Sequence, residues 1–227
     1  MKKVIFALMS LAAFFSLTFS SCSKDDDETP LTISQTSLTM VRGDTLTITT
    51  NQKSTFSSEK PFVATVSADG KIEAKHVGQT VVTATSGGQT KECSVTVNPS
   101  YNLYKEPILD FNLTKNDIKS QETRPLEEDR DTVLVYTDKK TYLMHYSFDA
   151  QTSKLKSVSY GMPNISYAQS SVLTDFLTER YQAIDVKNNV SYFINSDNVD
   201  DASMIVSMTL SVNRLQVDAL VVYLKKR

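Results

Sequence analysis

The sequence predicts an all-β sandwich followed by an α+β domain, and three observations carry this prediction. Apolar and polar residues alternate with a period of two through much of residues 31–98, which is typical of half-buried strands. Five of the six glycines lie in that segment, where they mark turns between short strands. After a linker at 98–100, apolar residues at helical spacing occur between further strand-like runs. The predicted domains are therefore residues 31–98 and 101–227.

Residues 1–21 are predicted to be a secretory signal peptide. Lys2 and Lys3 precede an apolar run over residues 4–19, and two serines follow that run. A positive start, a short apolar core and small residues at the cleavage point are the marks of such a signal. A permanent anchor helix is the alternative reading. It is disfavoured because the run falls short of the about 20 apolar residues that span a bilayer.

The four residues Phe19-Ser20-Ser21-Cys22 resemble a bacterial lipobox, which usually has Leu at the position of Phe19. The resemblance implies that Cys22 is lipidated and becomes the mature N-terminus. Several acyl chains hold a protein durably on a bilayer, at roughly 0.8 kcal/mol per buried CH₂. The membrane, reached through the lipid on Cys22, is therefore the first predicted partner.

Residues 23–28, four of which are acidic, predict a solvated tether, since such a run cannot bury enough apolar surface to fold. Residues 22–30 form this lipidated tether. The run also resembles the surface-export signal that follows the lipidated cysteine in lipoproteins of Bacteroidota. The resemblance implies a lipid-anchored outer-membrane protein on the cell surface, with the periplasmic face of that membrane as the alternative.

The first domain contains three stretches, MVRGDTLTIT (40–49), the run from Phe56 to Gly88, and ECSVTV (92–97), that resemble the group 2 bacterial immunoglobulin-like domain. The resemblance implies an immunoglobulin-like sandwich of the kind that serves as a spacer or adhesive module on cell surfaces. Cys93 is expected to be a small buried hydrophobe, and His76 a surface or loop residue. The core candidates are Phe56, Val63, Val66, Ile72, Val82 and Val95.

The second domain is predicted to repeat one unit, a helix followed by three strands. Thr114 and Asp117 have the spacing of a capping box and predict a short helix that ends near Glu122. Residues 125–131 are expected to form a loop, and three strand candidates follow it. A second helix is predicted within residues 166–185, before three more strands. The predicted order αβββαβββ, with two helices on an antiparallel sheet, is an α+β layout.

The sequence contains no catalytic motif of the GxSxG, HExxH, GxxxxGK or GxGxxG type. His145 lies in a strand candidate, but no partner for a general base can be named. Neither residues 25–28 nor residues 195–201 have the spacing of a calcium loop. A net charge of −2 gives no basic footprint for nucleic acid. We therefore predict no catalytic, cofactor-binding or metal-binding residue.

Two triplets, Asp44-Thr45-Leu46 and Asp131-Thr132-Val133, resemble the acceptor used for O-glycosylation in Bacteroidota. The resemblance implies that Thr45 and Thr132 carry glycans.

Together these features predict a surface-exposed lipoprotein of the cell envelope with a binding or adhesion role toward a protein or glycan ligand. Two alternatives remain open: an enzyme or enzyme inhibitor carried by the second domain, and a structural component of an envelope complex. A deep pocket that gathers His145 with two carboxylates would favour an enzyme. An exposed sheet face would favour binding.

Overall fold

The computed structural model describes residues 29–138, 142–213 and 216–225, and within them the chain is mostly β. The first seven strands belong to the N-terminal part: β1 Ser37–Val41, β2 Thr45–Thr47, β3 Thr55–Ser58, β4 Ala64–Val66, β5 Lys71–Ala74, β6 Gly78–Ser86 and β7 Gln89–Asn98. The rest of the chain follows in the order α1 Lys115–Gln121, β8 Leu126–Arg130, β9 Val133–Asp138, β10 Tyr142–Phe148, β11 Leu155–Ile165, α2 Tyr167–Thr178, β12 Gln182–Lys187, β13 Val190–Ile194, β14 Met204–Asn213 and β15 Gln216–Lys225.

The N-terminal strands form two small sheets, in the orders β1-β7-β6-β3 and β2-β5-β4. One hydrophobic core lies among them, and most of the predicted core residues belong to it. Val63, Ile72, Val82 and Val95 are buried, while Phe56 and Val66 are partly buried against them. Cys93 is a fully buried free thiol. The predicted immunoglobulin-like sandwich fits this arrangement.

The remaining eight strands form one antiparallel sheet in the order β12-β13-β14-β15-β11-β10-β9-β8. The predicted α+β domain with the order αβββαβββ is therefore wrong. Each helix is followed by four strands, and the helices are short, with 7 and 12 residues. Strand β8 was missed because LEEDR is charged and fully exposed. Strand β12 was missed because its first four residues fell within the predicted helical stretch 166–185, whereas the helix ends at its C-cap Glu179.

One face of this sheet is buried, and two short helices do not cover it alone. An irregular segment, residues 101–113, contributes Tyr104 and Phe111 to the same core, with Leu103, Ile108 and Leu109 packed against it. The helices add Ile118 from α1 and a set from α2, namely Leu173, Phe176 and Leu177. The covering layer is thus assembled from loop and helix, which explains why helical periodicity alone gave a wrong picture of this domain.

Both helices begin with a capping box. The Thr114 hydroxyl accepts from the Asp117 N–H at 3.4 Å, and the Asp117 carboxylate accepts from the Thr114 N–H at 2.8 Å. Ser166 and Gln169 make the same reciprocal pair at the start of α2. The predicted helix start at Thr114 is confirmed, and each box satisfies two otherwise unpaired backbone donors.

Candidate functional site

The face of the eight-stranded sheet opposite the core is open. Side chains alternate along β10, so Tyr142, Met144, Tyr146 and Phe148 are buried, as the sequence predicted. Leu143 is 41 % exposed and His145 is half-buried on the other side. Strand pairing then extends this side across the central strands of the sheet.

We call this surface the open face and define it by three cross-strand rows that run from β10 to β13. The first two rows are Leu143, Gly161, Leu220, Thr209, Val190 and His145, Ser159, Val222, Ser207, Tyr192. The third row is Ser147, Ser157, Leu224, Ile205 and Ile194, of which Ile194 is buried. None of these positions carries Asp, Glu, Lys or Arg, although surface strands are usually polar outward. Leu220 and Leu224 are 44 % and 41 % exposed.

At one end the open face leads into a pocket of about 550 Å³. Ile205 and Leu224 of the third row line it together with Phe111 and Leu155. Its polar wall is mostly cationic, since three lysines face one carboxylate: Lys154, Lys156, Lys225 and Asp149. The pocket therefore combines an apolar floor with a net positive rim.

The carboxylate at the rim is fixed in place. Asp149 Oδ1 accepts from the N–H groups of Thr152 at 2.8 Å and Gln151 at 3.0 Å. These hydrogen bonds hold the pKa of Asp149 below its usual range. Asp149 is thus engaged with its own turn, and the three lysines are the charges available to a bound group.

His145 is not part of an acid–base constellation across the sheet. Its cross-strand neighbours are Val135 on β9 and Ser159 on β11, and neither is a carboxylate. No group of three or more His, Cys, Asp or Glu that could hold a metal ion occurs in the part of the chain that the structure describes.

A second polar site lies where the linker enters the C-terminal domain. Glu179 and Arg180 are only 2 % and 8 % exposed. The Glu179 carboxylate accepts from the N–H groups of Ser100 at 2.9 Å and Tyr101 at 3.1 Å, and it pairs with Arg180 Nη1. The Glu179 carbonyl also accepts from the Val77 N–H at 2.7 Å. One residue thus joins the linker to a loop of the immunoglobulin-like part.

Arg180 extends this network. Its guanidinium lies 3.7 Å from the centre of the Phe176 ring and donates from Nη1 to the Phe176 carbonyl at 3.0 Å. Its Nε is 3.1 Å from Glu106 Oε2, an ion pair without hydrogen-bond geometry. The Tyr181 hydroxyl donates to the other Glu106 oxygen at 2.7 Å. Buried charges persist in proteins when they are paired and hydrogen-bonded in this way.

His76 was expected at the surface or in a loop, and it lies in the loop between β5 and β6, where it is buried beside this junction. It is 3 % exposed, its ring stacks on Phe62 with centroids 4.0 Å apart, and Nδ1 lies 2.8 Å from the Phe62 carbonyl. Burial lowers its pKa, because the charged form is poorly solvated there. The cleft next to it has about 490 Å³.

The other predicted site residues are spread over the chain. Cys22 lies outside the described residues. Thr45 is exposed at the start of β2, and Thr132 is exposed just before β9. The acidic loop at 195–201 is a turn, in which Asn195 Oδ1 accepts from the N–H groups of Ser203 and Met204. Of the two predicted glycan acceptors, Thr45 thus belongs to the N-terminal sheets and Thr132 to the C-terminal part.

A family model, that of the bacterial Ig-like domain (group 2), matches residues 27–97. This segment is a bacterial Ig-like domain of group 2. The match covers less than half of the chain. It is consistent with a cell-surface or adhesion type of role, and it says nothing more specific.

The other comparisons add little. No curated protein matches the sequence. Among solved structures, that of the S-layer protein SbsC, domains 5–6, is similar at 14 % identity over 87 % of this chain and 84 % of that one, with a TM-score of 0.27. In the described ranges we find no helix with the length and apolarity needed to cross a membrane.

Proposed function

We propose that this chain is a lipid-anchored cell-surface protein that binds another protein through the open face and its end pocket. The observation that carries the proposal is the three-row surface without a single charged residue, which ends in an apolar pocket with a lysine rim. The proposal assigns no catalytic role to the chain. The Ig-like domain acts in it as a spacer.

The chemistry of the open face favours a protein partner. Contiguous exposed apolar surface rimmed by polar residues marks interaction sites, and the cores of protein interfaces are depleted in charge. A pocket of about 550 Å³ can receive an apolar anchor side chain from the partner. A glycan is commonly held by stacking on aromatic rings, and the three rows offer only one tyrosine, Tyr192, beside five Ser or Thr residues.

The charge around the pocket also describes the partner. Lys154, Lys156 and Lys225 stand against the single Asp149, which its own turn already engages. Opposite charges around an apolar contact guide two proteins toward each other as they diffuse, and they fix the alignment of one partner on the other. The expected partner segment is therefore an apolar anchor flanked by acidic residues.

The buried junction supports the role of a spacer. Glu179 binds the linker at Ser100 and Tyr101 and also bonds Val77 of the Ig-like part. A linker held by hydrogen bonds to a buried carboxylate is not a free tether, in contrast to Gly/Ser-rich linkers, which behave as flexible coils. The junction would therefore present the open face in a defined orientation.

The anchor is tested by Cys22→Ala. We expect the variant to move from the membrane pellet to the soluble fraction, because the thioether to the lipid cannot form. Cys93→Ala is the matched control, since Cys93 is buried, and it should stay in the pellet. Retention of Cys22→Ala in the membrane would contradict the anchor. Complete survival of the native protein on intact cells treated with protease would contradict surface display.

The binding surface is tested by a photo-crosslinking amino acid placed at Leu220 or at Lys91 in the source bacterium. Both positions are exposed, but only Leu220 lies on the open face. We expect one protein adduct at Leu220 and none at Lys91. Lys156→Glu, at the rim, should reduce the Leu220 adduct several-fold, because it repels an acidic partner. Equal adducts at both positions, or adducts that disappear after glycan removal, would contradict a protein partner.

A further inference from the structure

The eight-stranded sheet ends in two edge strands that both have a register shift, and β8 is the more highly charged of the two. At one edge, β8 is fully exposed, carries Glu127, Glu128, Asp129 and Arg130, and has a register shift. Charge and bulges protect an edge from pairing with another strand. At the other edge, β12 exposes Ile184 at 41 % and Val186 at 72 %. Val186 is the most exposed large hydrophobic residue among those described.

The hairpin between β12 and β13 decides which backbone groups of β12 are free. Asn188 and Asn189 have φ values of 51° and 61°, as in a two-residue type I′ turn. The closing pair of such a turn, here Lys187 and Val190, is hydrogen-bonded, so the next pair, Val186 and Ser191, is not. The Val186 N–H and C=O therefore point outward along the free edge. Within the chain, that N–H donates to Asp185 Oδ1 at 2.7 Å.

We propose that a second copy of this chain pairs with this edge, β12 against β12, in an antiparallel arrangement about a two-fold axis at Val186. In this register the two Val186 residues exchange both backbone hydrogen bonds, and each Val186 N–H gives up its bond to Asp185 Oδ1 for the carbonyl of the other copy. Asp185 of each copy then stands opposite Lys187 of the other, so two opposite-charge pairs form by symmetry. A two-fold contact of this kind closes as a dimer and does not propagate.

Two neighbouring registers of the β12–β12 pair are less favourable. An axis at Asp185 places two like charges directly opposite each other, which is destabilising. An axis at Ile184 falls within the register shift between Ala183 and Asp185, where the ladder is irregular. Charge and backbone direction thus select the same register. The proposal goes beyond the binding role of the open face and does not depend on it.

The contact is short. Pairing extends over about five residues a strand, so the dimer is expected to be weaker than one with a standard interface of about 1,600 Å². Confinement of two copies to one surface would raise their effective concentration. Trapping the dimer with an engineered disulfide is therefore the right first test, because a disulfide detects a weak contact of defined geometry.

The first test is Val186→Cys in the full chain, in mild detergent and with Cys22→Ser, so that the only other thiol is the buried Cys93. Opposed residues of a hydrogen-bonded pair have Cα atoms about 5.5 Å apart, which suits a disulfide. We expect a disulfide-linked dimer on mild oxidation. Glu128→Cys on the opposite edge is the matched control and should remain monomeric. Equal dimer yields for the two variants would overturn the proposal.

The second test exchanges the charges in the Val186→Cys background. Asp185→Lys or Lys187→Asp alone should reduce dimer yield roughly tenfold, because each creates two like-charge pairs. A mixture of the two variants should restore a heterodimer, since each positive edge then faces a negative one. Both side chains are exposed, so folding should be unchanged by circular dichroism. Yields unaffected by the single changes, or no recovery on mixing, would overturn the register.

Discussion

Replacing Arg180 by Met should lower the free energy of unfolding of the C-terminal part by about 3–5 kcal/mol, the cost of breaking a buried ion pair on one side. Met retains apolar contact with Phe176 but removes the cation that pairs with Glu179 and Glu106. The Glu179 side chain is 3 % exposed, so its charge would stay buried without its main partner. The bond from Arg180 Nη2 to the Tyr101 carbonyl would also be lost.

The chain provides its own reporter for this experiment. It has no tryptophan, and its ten tyrosines all lie at or after Tyr101. Tyrosine fluorescence during denaturant unfolding therefore reports on the C-terminal part and is silent for the Ig-like part. Arg42→Met is the matched control, because Arg42 is exposed and lines the cleft beside the same junction. The control should change stability by no more than about 0.5 kcal/mol.

A small loss of stability in Arg180→Met would contradict the role assigned to the buried network. If Arg180→Met costs less than about 1 kcal/mol, the network does not hold the linker by buried charge. A full effect should also expose the linker, so limited proteolysis should cleave the variant near Ser100 sooner than the control. That readout connects the buried pair to the presentation of the open face.

The Ig-like part could be predicted from the sequence because its signals are local. Alternation and glycine turns indicated its strands, and the buried Val63, Ile72, Val82 and Val95 follow from that pattern. His76 is the exception, since its burial depends on stacking against Phe62, which no local pattern encodes. Tertiary contacts of this kind decide where an isolated polar residue lies.

The C-terminal sheet was predicted only in part, for two physical reasons. Strand β8 has no apolar face to bury, so it lacks the alternation that identifies a strand. Strand β12 follows α2 after a C-cap and only two further residues, and its apolar residues were absorbed into the helical pattern. Both are edge strands, whose pairing on one side leaves the weakest sequence signal.

The open face and the junction required the fold. The outward position of Leu143 and His145 followed from alternation in β10, but their neighbours come from β11, β15 and β14, which lie far along the chain. In β15, consecutive positions are apolar, and neighbours such as Leu220 and Val221 point to opposite faces of the sheet. This pattern indicates that the second face of the sheet is also apolar. Glu179 and Arg180 gave none, because charged residues at a helix end usually face solvent.

Replacing Arg124 by Met should produce a loss of stability that depends on pH, about 3–4 kcal/mol at pH 7 and much less near pH 4. Arg124 Nη1 pairs with Glu122 Oε2 at 2.7 Å, and the Tyr146 hydroxyl donates to the same oxygen at 2.6 Å. The side chains of Glu122 and Arg124 are 1 % and 6 % exposed. Removing the guanidinium leaves a buried carboxylate with a hydroxyl as its remaining side-chain partner.

The sign of the pH effect follows from the pKa of Glu122. Burial alone would raise this pKa, but the hydrogen bonds and the charge of Arg124 outweigh burial and hold it below the ordinary 4.5. In the native protein, the stability contributed by Glu122 is therefore present above pH 4.5 and is lost as the pH falls through the lowered pKa. Without the guanidinium of Arg124 one of the interactions that lower this pKa is lost, while the Tyr146 hydroxyl and the backbone N–H groups of residues 123 and 124 still donate to the carboxylate. The pKa of Glu122 should therefore rise from its native position, so the loss of stability should grow as the pH rises.

The two pH profiles should therefore diverge from pH 4 to pH 7, when unfolding is followed by tyrosine fluorescence. Arg130→Met is the matched control, since its pair with Glu128 is 69 % and 45 % exposed and should contribute little at any pH. A loss for Arg124→Met that is equal at pH 4 and pH 7 would assign its cost to lost packing and to the lost hydrogen bonds from Arg124 Nη2 to the Lys105 and Glu106 carbonyls. A loss that vanishes in acid would show that the buried charge of Glu122 is what Arg124 stabilises.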